Sequence, residues 1–111
     1  MKIIVAIIRP YKLEAVKAAL GEAVESLFVT EVRGFGRQLG HSEIYRGAEY
    51  KVEFVVKLRL EIICEDAEAE GLIARVSGGA RTDKIGDGKI FLSRIGNVVN
   101  IGVEEPADAM I

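Results

Sequence analysis

The chain has 111 residues, half of them hydrophobic and 29% charged, with a formal net charge of −2. That length suits one domain able to bury enough surface to need no disulfide or metal staple, and the charge balance argues against a nucleic-acid binder driven by counterion release. Cys64 stands alone, which excludes an internal disulfide framework or a multi-cysteine zinc site; Met1 to Ile8 lacks the order of a signal peptide, no run nears the ~20 apolar residues of a membrane span, and a single cytoplasmic domain without membrane insertion is the expectation.

Lys2 to Ile8 reads as a strand with two apolar faces. Ile3, Val5 and Ile7 form one and Ile4, Ala6 and Ile8 the other, so it needs cover on both sides. Pro10 suits a first helical turn, Leu13, Val16 and Leu20 recur at helical spacing, and Gly21 marks a helix end. Leu27 to Phe35 reads as a second strand. Residues 36–51 then lack any period and are long for a compact loop, which points to function or disorder.

Val52 to Ile63 is a third strand, in which Val56, Leu58, Leu60 and Ile62 alternate with Lys57, Arg59 and Glu61. Asp66 is placed to cap a second helix, with Leu72, Ile73 and Val76 as its apolar stripe and Glu68 and Glu70 near its positive end. Ser77-Gly78-Gly79 is poor helix material and predicts fraying or a bend there. Lys89 to Ile95 is a fourth strand and Val98 to Val103 a short fifth. Strand, helix, strand, strand, helix, strand is the α+β, ferredoxin-like βαββαβ order, with its long loop between strands two and three.

Two runs carry the chemistry. Thr82-Asp83-Lys84-Ile85-Gly86-Asp87-Gly88-Lys89 is a glycine-rich turn leading into an apolar strand. Its glycines permit an anion-holding nest of N–H groups, and Lys84 and Lys89 add positive charge. A tight strand-entry turn with solvated lysines fits the same pattern. It is no Walker A loop, because neither Ser nor Thr follows the lysine and no helix follows the turn. Tyr45-Arg46-Gly47-Ala48-Glu49-Tyr50 is the second run, polar and without a core-forming period. By pattern alone Lys57 reads as an outward lysine on an alternating strand, and Tyr50 and His41 as exposed loop residues. Asp87 and Glu61 are conceivable as an acid–base pair, but nothing places them together, and no enzyme is expected.

These runs resemble the two signatures of the PII family of nitrogen and carbon signal-transduction proteins. Ile7-Ile8-Arg9-Pro10 with Lys12-Leu13 is similar to the family's amino terminus. Thr30 to Gln38 resembles the strand entering its T-loop, His41, Glu43 and Tyr45 to Tyr50 resemble the loop itself, and residues 82–92 resemble its B-loop. The resemblance implies a homotrimer whose subunit clefts take ATP or ADP, with AMP a further candidate. It places nucleotide contacts at Ile7, Gly34, Gly36, Arg37, Gln38, Ile63, Gly86, Asp87, Gly88 and Lys89. It places 2-oxoglutarate at Gln38, Leu39, Gly40, Lys57 and Gly86, with Mg²⁺ held through Gln38 alongside ATP and no prosthetic group. It also implies nucleotidylylation at Tyr50 in some members. The implied partners are an ammonium channel or an enzyme of nitrogen or carbon metabolism, engaged through the T-loop.

The chain departs from the family pattern near the expected phosphates. Asn100 and Gly102 stand where the family carries two arginines, and Thr82-Asp83-Lys84 replaces Thr-Gly-Lys. Ser26-Leu27-Phe28 replaces a Gly-Met-Thr-like segment near the adenine. A second reading follows from these changes, that of a divergent member with weak or altered nucleotide use, acting mainly as an interaction module.

Overall fold

The computed structural model describes residues 1–38 and 51–102, with the backbone alone at 36–38 and 51–53. Four strands, β1 (Lys2–Ile8), β2 (Phe28–Gln38), β3 (Lys51–Cys64) and β4 (Gly88–Arg94), form an antiparallel sheet in the order β2-β3-β1-β4. Two helices, α1 (Leu13–Leu20) and α2 (Asp66–Ala80), complete the expected α+β arrangement.

The period-two apolar pattern sets the layers. Ile4, Ala6 and Ile8 of β1 and Leu60, Ile62 and Cys64 of β3 are buried with Val16 and Leu20 of α1 and Leu72 and Val76 of α2. Residues directly opposite in a ladder share a face. The helix-free face therefore collects Ile3, Val5 and Ile7 with their partners Ile63, Glu61 and Arg59 on β3 and Ser93, Phe91 and Lys89 on β4. Phe28 of β2, opposite Glu61, joins them and is 46% exposed, and Phe91 is 52% exposed. The second apolar face of β1 is thus real, and no described helix covers it.

Local chemistry fixes the helices. A 3-10 turn over Pro10–Lys12 precedes α1, which stops at Gly21 with φ 52°. The cap of α2 is Glu65 rather than Asp66, in a reciprocal box with Glu68; Asp66 instead meets the N-terminal amine at 3.1 Å. The expected fraying at Ser77-Gly78-Gly79 does not occur, because α2 runs unbroken to Ala80. Gly79 is needed there for close packing: a Cβ on it would lie 2.9 Å from both the Ala15 carbonyl oxygen and Val16 Cα of α1.

The expected short strand at 98–103 is also corrected, since residues 98–102 hold no strand. A strand needs a ladder partner, and this segment leaves β4 at the far end of the sheet, where Ile95 N–H bonds to the Met1 carbonyl at 3.0 Å. Among the described residues, no helix is long and apolar enough to cross a membrane.

Candidate functional site

The site lies at one end of the sheet, where β1 finishes, β3 passes and β4 begins. Ile8 pairs with both Leu58 and Gly88, so the residues next along, Arg9, Lys57 and the glycine-rich turn, meet by register alone.

Asp87 organises the turn. Its carboxylate accepts the Thr82 hydroxyl, the Thr82 N–H at 2.6 Å and the Asp83 N–H at 2.9 Å. Arg9 Nε reaches the same carboxylate at 3.2 Å. The Thr82 hydroxyl and N–H, followed by Arg9 and the Asp83 N–H, hold the Asp87 carboxyl far below the usual carboxylate range, against a smaller opposing effect of burial. Arg9 also donates to the Ile85 carbonyl at 2.9 Å, and Lys57 Nζ to the Gly86 carbonyl at 2.6 Å. Burial, then the neighbouring Arg9, lowers the Lys57 pKa, and Asp87 partly opposes them.

Backbone geometry explains the glycines. Gly86 has φ 97° and Gly88 φ 130°, conformations open to glycine at little cost. At Gly88 the packing is decisive as well, because a Cβ would lie 1.8 Å from the Ile7 carbonyl oxygen. The turn is therefore pressed against the end of β1, with exposed backbone and lysines around it.

A cavity of about 300 Å³ opens beside this turn, lined by Ile7, Lys57, Gly86, Gly88, Lys89 and Phe91. Five of these six were named from the sequence. Phe91 was missed, although its alternation with Lys89 places both on one face of β4. Arg9 was missed too; its signal was a guanidinium at a strand end just before Pro10. Among the described residues Lys89 has no ion-pair partner, so the cavity carries a free positive charge. Lys57, Lys89 and the open backbone at Gly86 and Gly88 suit an anionic ligand, and Ile7 and Phe91 offer apolar contact.

The other expected site residues fall elsewhere. Asp87 spends its carboxylate inside the turn. Gly34 lies two residues beyond Val32, the ladder partner of Lys57, within about 7 Å along the strand. Gly36, Arg37 and Gln38 continue that hairpin, and their side chains lie outside the described residues, as do Leu39, Gly40 and Tyr50. Ile63 pairs with Ile3, six residues along β3 from Lys57 and so about 20 Å away. Asn100 and Gly102 lie six and eight residues beyond Arg94, where β4 ends at that same far end. Glu61, ion-paired to Arg59 at 3.5 Å, is not brought to Asp87. One copy of the chain thus holds the expected contacts at opposite ends of its sheet.

The family model described as "Nitrogen regulatory protein P-II" matches residues 1–105. The chain is 52% identical over 106 residues to Nitrogen regulatory protein P-II of Mesorhizobium japonicum, covering 95% of each chain. It is 50% identical over 109 residues to the protein of that name from Rhodobacter capsulatus, covering 97% of each. To Nitrogen regulatory protein GlnK of Escherichia coli it is 46% identical over 112 residues, covering both chains in full.

Proposed function

The chain belongs to the P-II family of nitrogen regulatory proteins, and on that premise we propose that it senses adenine nucleotide in clefts between subunits and passes the signal to a target through its T-loop. Its role is regulatory signalling in nitrogen metabolism. The observation that carries the nucleotide reading is the cavity in which Lys57 and Lys89 flank the constrained glycines 86 and 88.

Each part of the proposal has a physical basis. Lys89 supplies an unpaired cation for phosphate, and Ile7 and Phe91 supply apolar surface. Lys57 would leave the Gly86 carbonyl to pair with a carboxylate of 2-oxoglutarate, exchanging a bond to a neutral oxygen for a charge-assisted one. Gln38 would hold Mg²⁺, and Tyr50 would accept nucleotidylylation; both functions fall on side chains outside the described residues. A trimer accounts for the helix-free apolar face. It also gives Ile63, Asn100 and Gly102 a route to the cavity, since the far end of one copy can meet the turn of the next. An ammonium channel or a nitrogen- or carbon-metabolism enzyme would be the target.

The second reading, altered nucleotide use, rests on Asn100 and Gly102. An arginine pair would have contributed about 1.5–3 kcal/mol per phosphate bond before screening. Its loss favours ADP or AMP relative to ATP. Gly102 has φ 79°, a conformation that strains an arginine, so Asn100→Arg is the variant suited to restoring triphosphate preference. Calorimetric titration with ATP, ADP and AMP, with and without Mg²⁺ and 2-oxoglutarate, tests the proposal. Micromolar binding that Lys89→Ala weakens supports it. Absence of binding by all three nucleotides refutes it, and clear preference for Mg-ATP refutes the second reading.

A further inference from the structure

We infer that Lys57 is a site of acylation by acyl phosphates, with Lys89 holding the phosphate that leaves. The inference goes beyond nucleotide sensing and shares with it only the cationic cavity.

The two lysines face the same space. Ile7 pairs with Arg59 on one side and with Lys89 on the other. Lys57 is two residues along β3 from Arg59, so Lys57 and Lys89 both project from the helix-free face. Two strand spacings of about 4.8 Å across and about 7 Å along separate their backbones. Their flexible stems reach into one cavity of about 300 Å³.

Their roles differ. Lys89, without an ion-pair partner among the described residues, can hold a phosphate as a point charge. Lys57 Nζ is fixed over the glycine turn by its 2.6 Å bond to the Gly86 carbonyl. The Asp87 carboxylate, which favours a charged Lys57, is taken up by Arg9 and by the Thr82 hydroxyl. Arg59, on the same face, pairs with Glu61 at 3.5 Å. Burial and the Arg9 guanidinium lower the Lys57 pKa more than Asp87 raises it. That enlarges the share of neutral amine, the form that attacks a carbonyl.

An acyl phosphate meets both requirements in one small molecule, a charged phosphate beside an activated carbonyl. With the phosphate at Lys89, the acyl carbon is presented to Lys57, and Ile7 and Phe91 offer apolar surface to the acyl group. The Nζ lone pair forms the new N–C bond. The bond from the acyl carbon to the phosphate oxygen breaks, its electron pair leaves on the phosphate, and an amine proton passes to that phosphate. The products are an amide at Lys57 and inorganic phosphate. The amide is neutral, so acylated Lys57 no longer offers a cation to a carboxylate ligand.

Acetyl phosphate is the probe. The full-length protein is incubated with it and digested, and acetyl-lysines are quantified over time by mass spectrometry. Lys17, exposed and 3.4 Å from Glu14, is the internal reference. Lys57 should be acetylated about 10-fold or more faster than Lys17. Lys89→Ala, with its fold verified by thermal denaturation, should cut that preference to under about 3-fold, while acetylation of Lys57 by an uncharged N-hydroxysuccinimide ester should change by less than about 2-fold. Lys57 modified no faster than Lys17, or a Lys89→Ala loss equal for the two donors, overturns the inference. Lys89→Gln repeats the comparison if the alanine variant unfolds. Excess ADP separates this inference from the nucleotide reading, since it should protect Lys57 and not Lys17. Preferential acetylation of Lys57 without protection by ADP overturns nucleotide binding in this cavity and leaves the acylation site standing.

Discussion

Replacing Gly88 with alanine tests how tightly the glycine-rich turn is bound to the sheet. The new Cβ would lie 1.8 Å from the Ile7 carbonyl oxygen, and real Cβ contacts do not fall below 3.0 Å, so β1 and β4 must separate at their pairing end. The backbone at φ 130° adds strain of about 1–3 kcal/mol. Prising Gly88 from Ile8 forfeits ladder bonds of about 0.5–1.5 kcal/mol each. A loss of about 3–5 kcal/mol results, a large part of a typical stability of about 5–15 kcal/mol. Two other glycines calibrate the result. At Gly86, φ is 97° and the Cβ would meet an Arg9 side-chain nitrogen at 3.2 Å, a neighbour that can move, so Gly86→Ala should cost only about 1–2 kcal/mol. At Gly34 nothing lies within 4 Å, and Gly34→Ala should be neutral or stabilising by up to about 1 kcal/mol. Urea denaturation of the three variants at one protein concentration gives the order directly. A Gly88→Ala protein within about 1 kcal/mol of wild type would refute the close approach of turn and strand.

Further outcomes follow from the same contacts. The Asp87 carboxyl is depressed in the folded state, so its contribution is fully present above the ordinary carboxyl value near ~3.9 and is lost progressively as pH falls from there toward the lower folded-state value. The stability difference between wild type and Asp87→Asn should therefore be largest near neutrality and shrink below about pH 4, as acid titration followed by circular dichroism can read; a constant difference would contradict the assignment. Gly79→Ala should destabilise by about 1–3 kcal/mol by pushing α1 away, whereas Gly78→Ala, with nothing within 4 Å, should stabilise by up to about 1 kcal/mol. Thermal denaturation that ranked these two variants the other way would refute the helix contact at Gly79.

Periodicity made most of the fold legible. The alternation in residues 2–8 and 56–62 marked both the strands and their buried faces, and Gly21 marked the end of α1. Composition misled at Ser77-Gly78-Gly79, where close approach of α1 outweighs poor helix propensity. It misled again at the strand expected over residues 98–103, since the described residues 98–102 join no described ladder. Within the site, Gly86, Gly88 and Lys89 stood out by pattern and Lys57 and Ile7 by the family resemblance, and the structure brings all five to one cavity. The role of Arg9 was hidden because its partners Ile85 and Asp87 are 76 and 78 residues away in sequence.

The proposed nucleotide cleft joins the Lys57–Lys89 cavity to Ile63, Asn100 and Gly102; Ile63 lies toward the other end of the sheet, so the proposal requires a second copy to bring them together. Light scattering of the ligand-free protein at micromolar concentration tests this most directly. The account predicts a trimer, three times the 12.1 kDa chain. A 12.1 kDa monomer would leave the apolar face of β1 uncovered and would contradict a nucleotide cleft built between subunits.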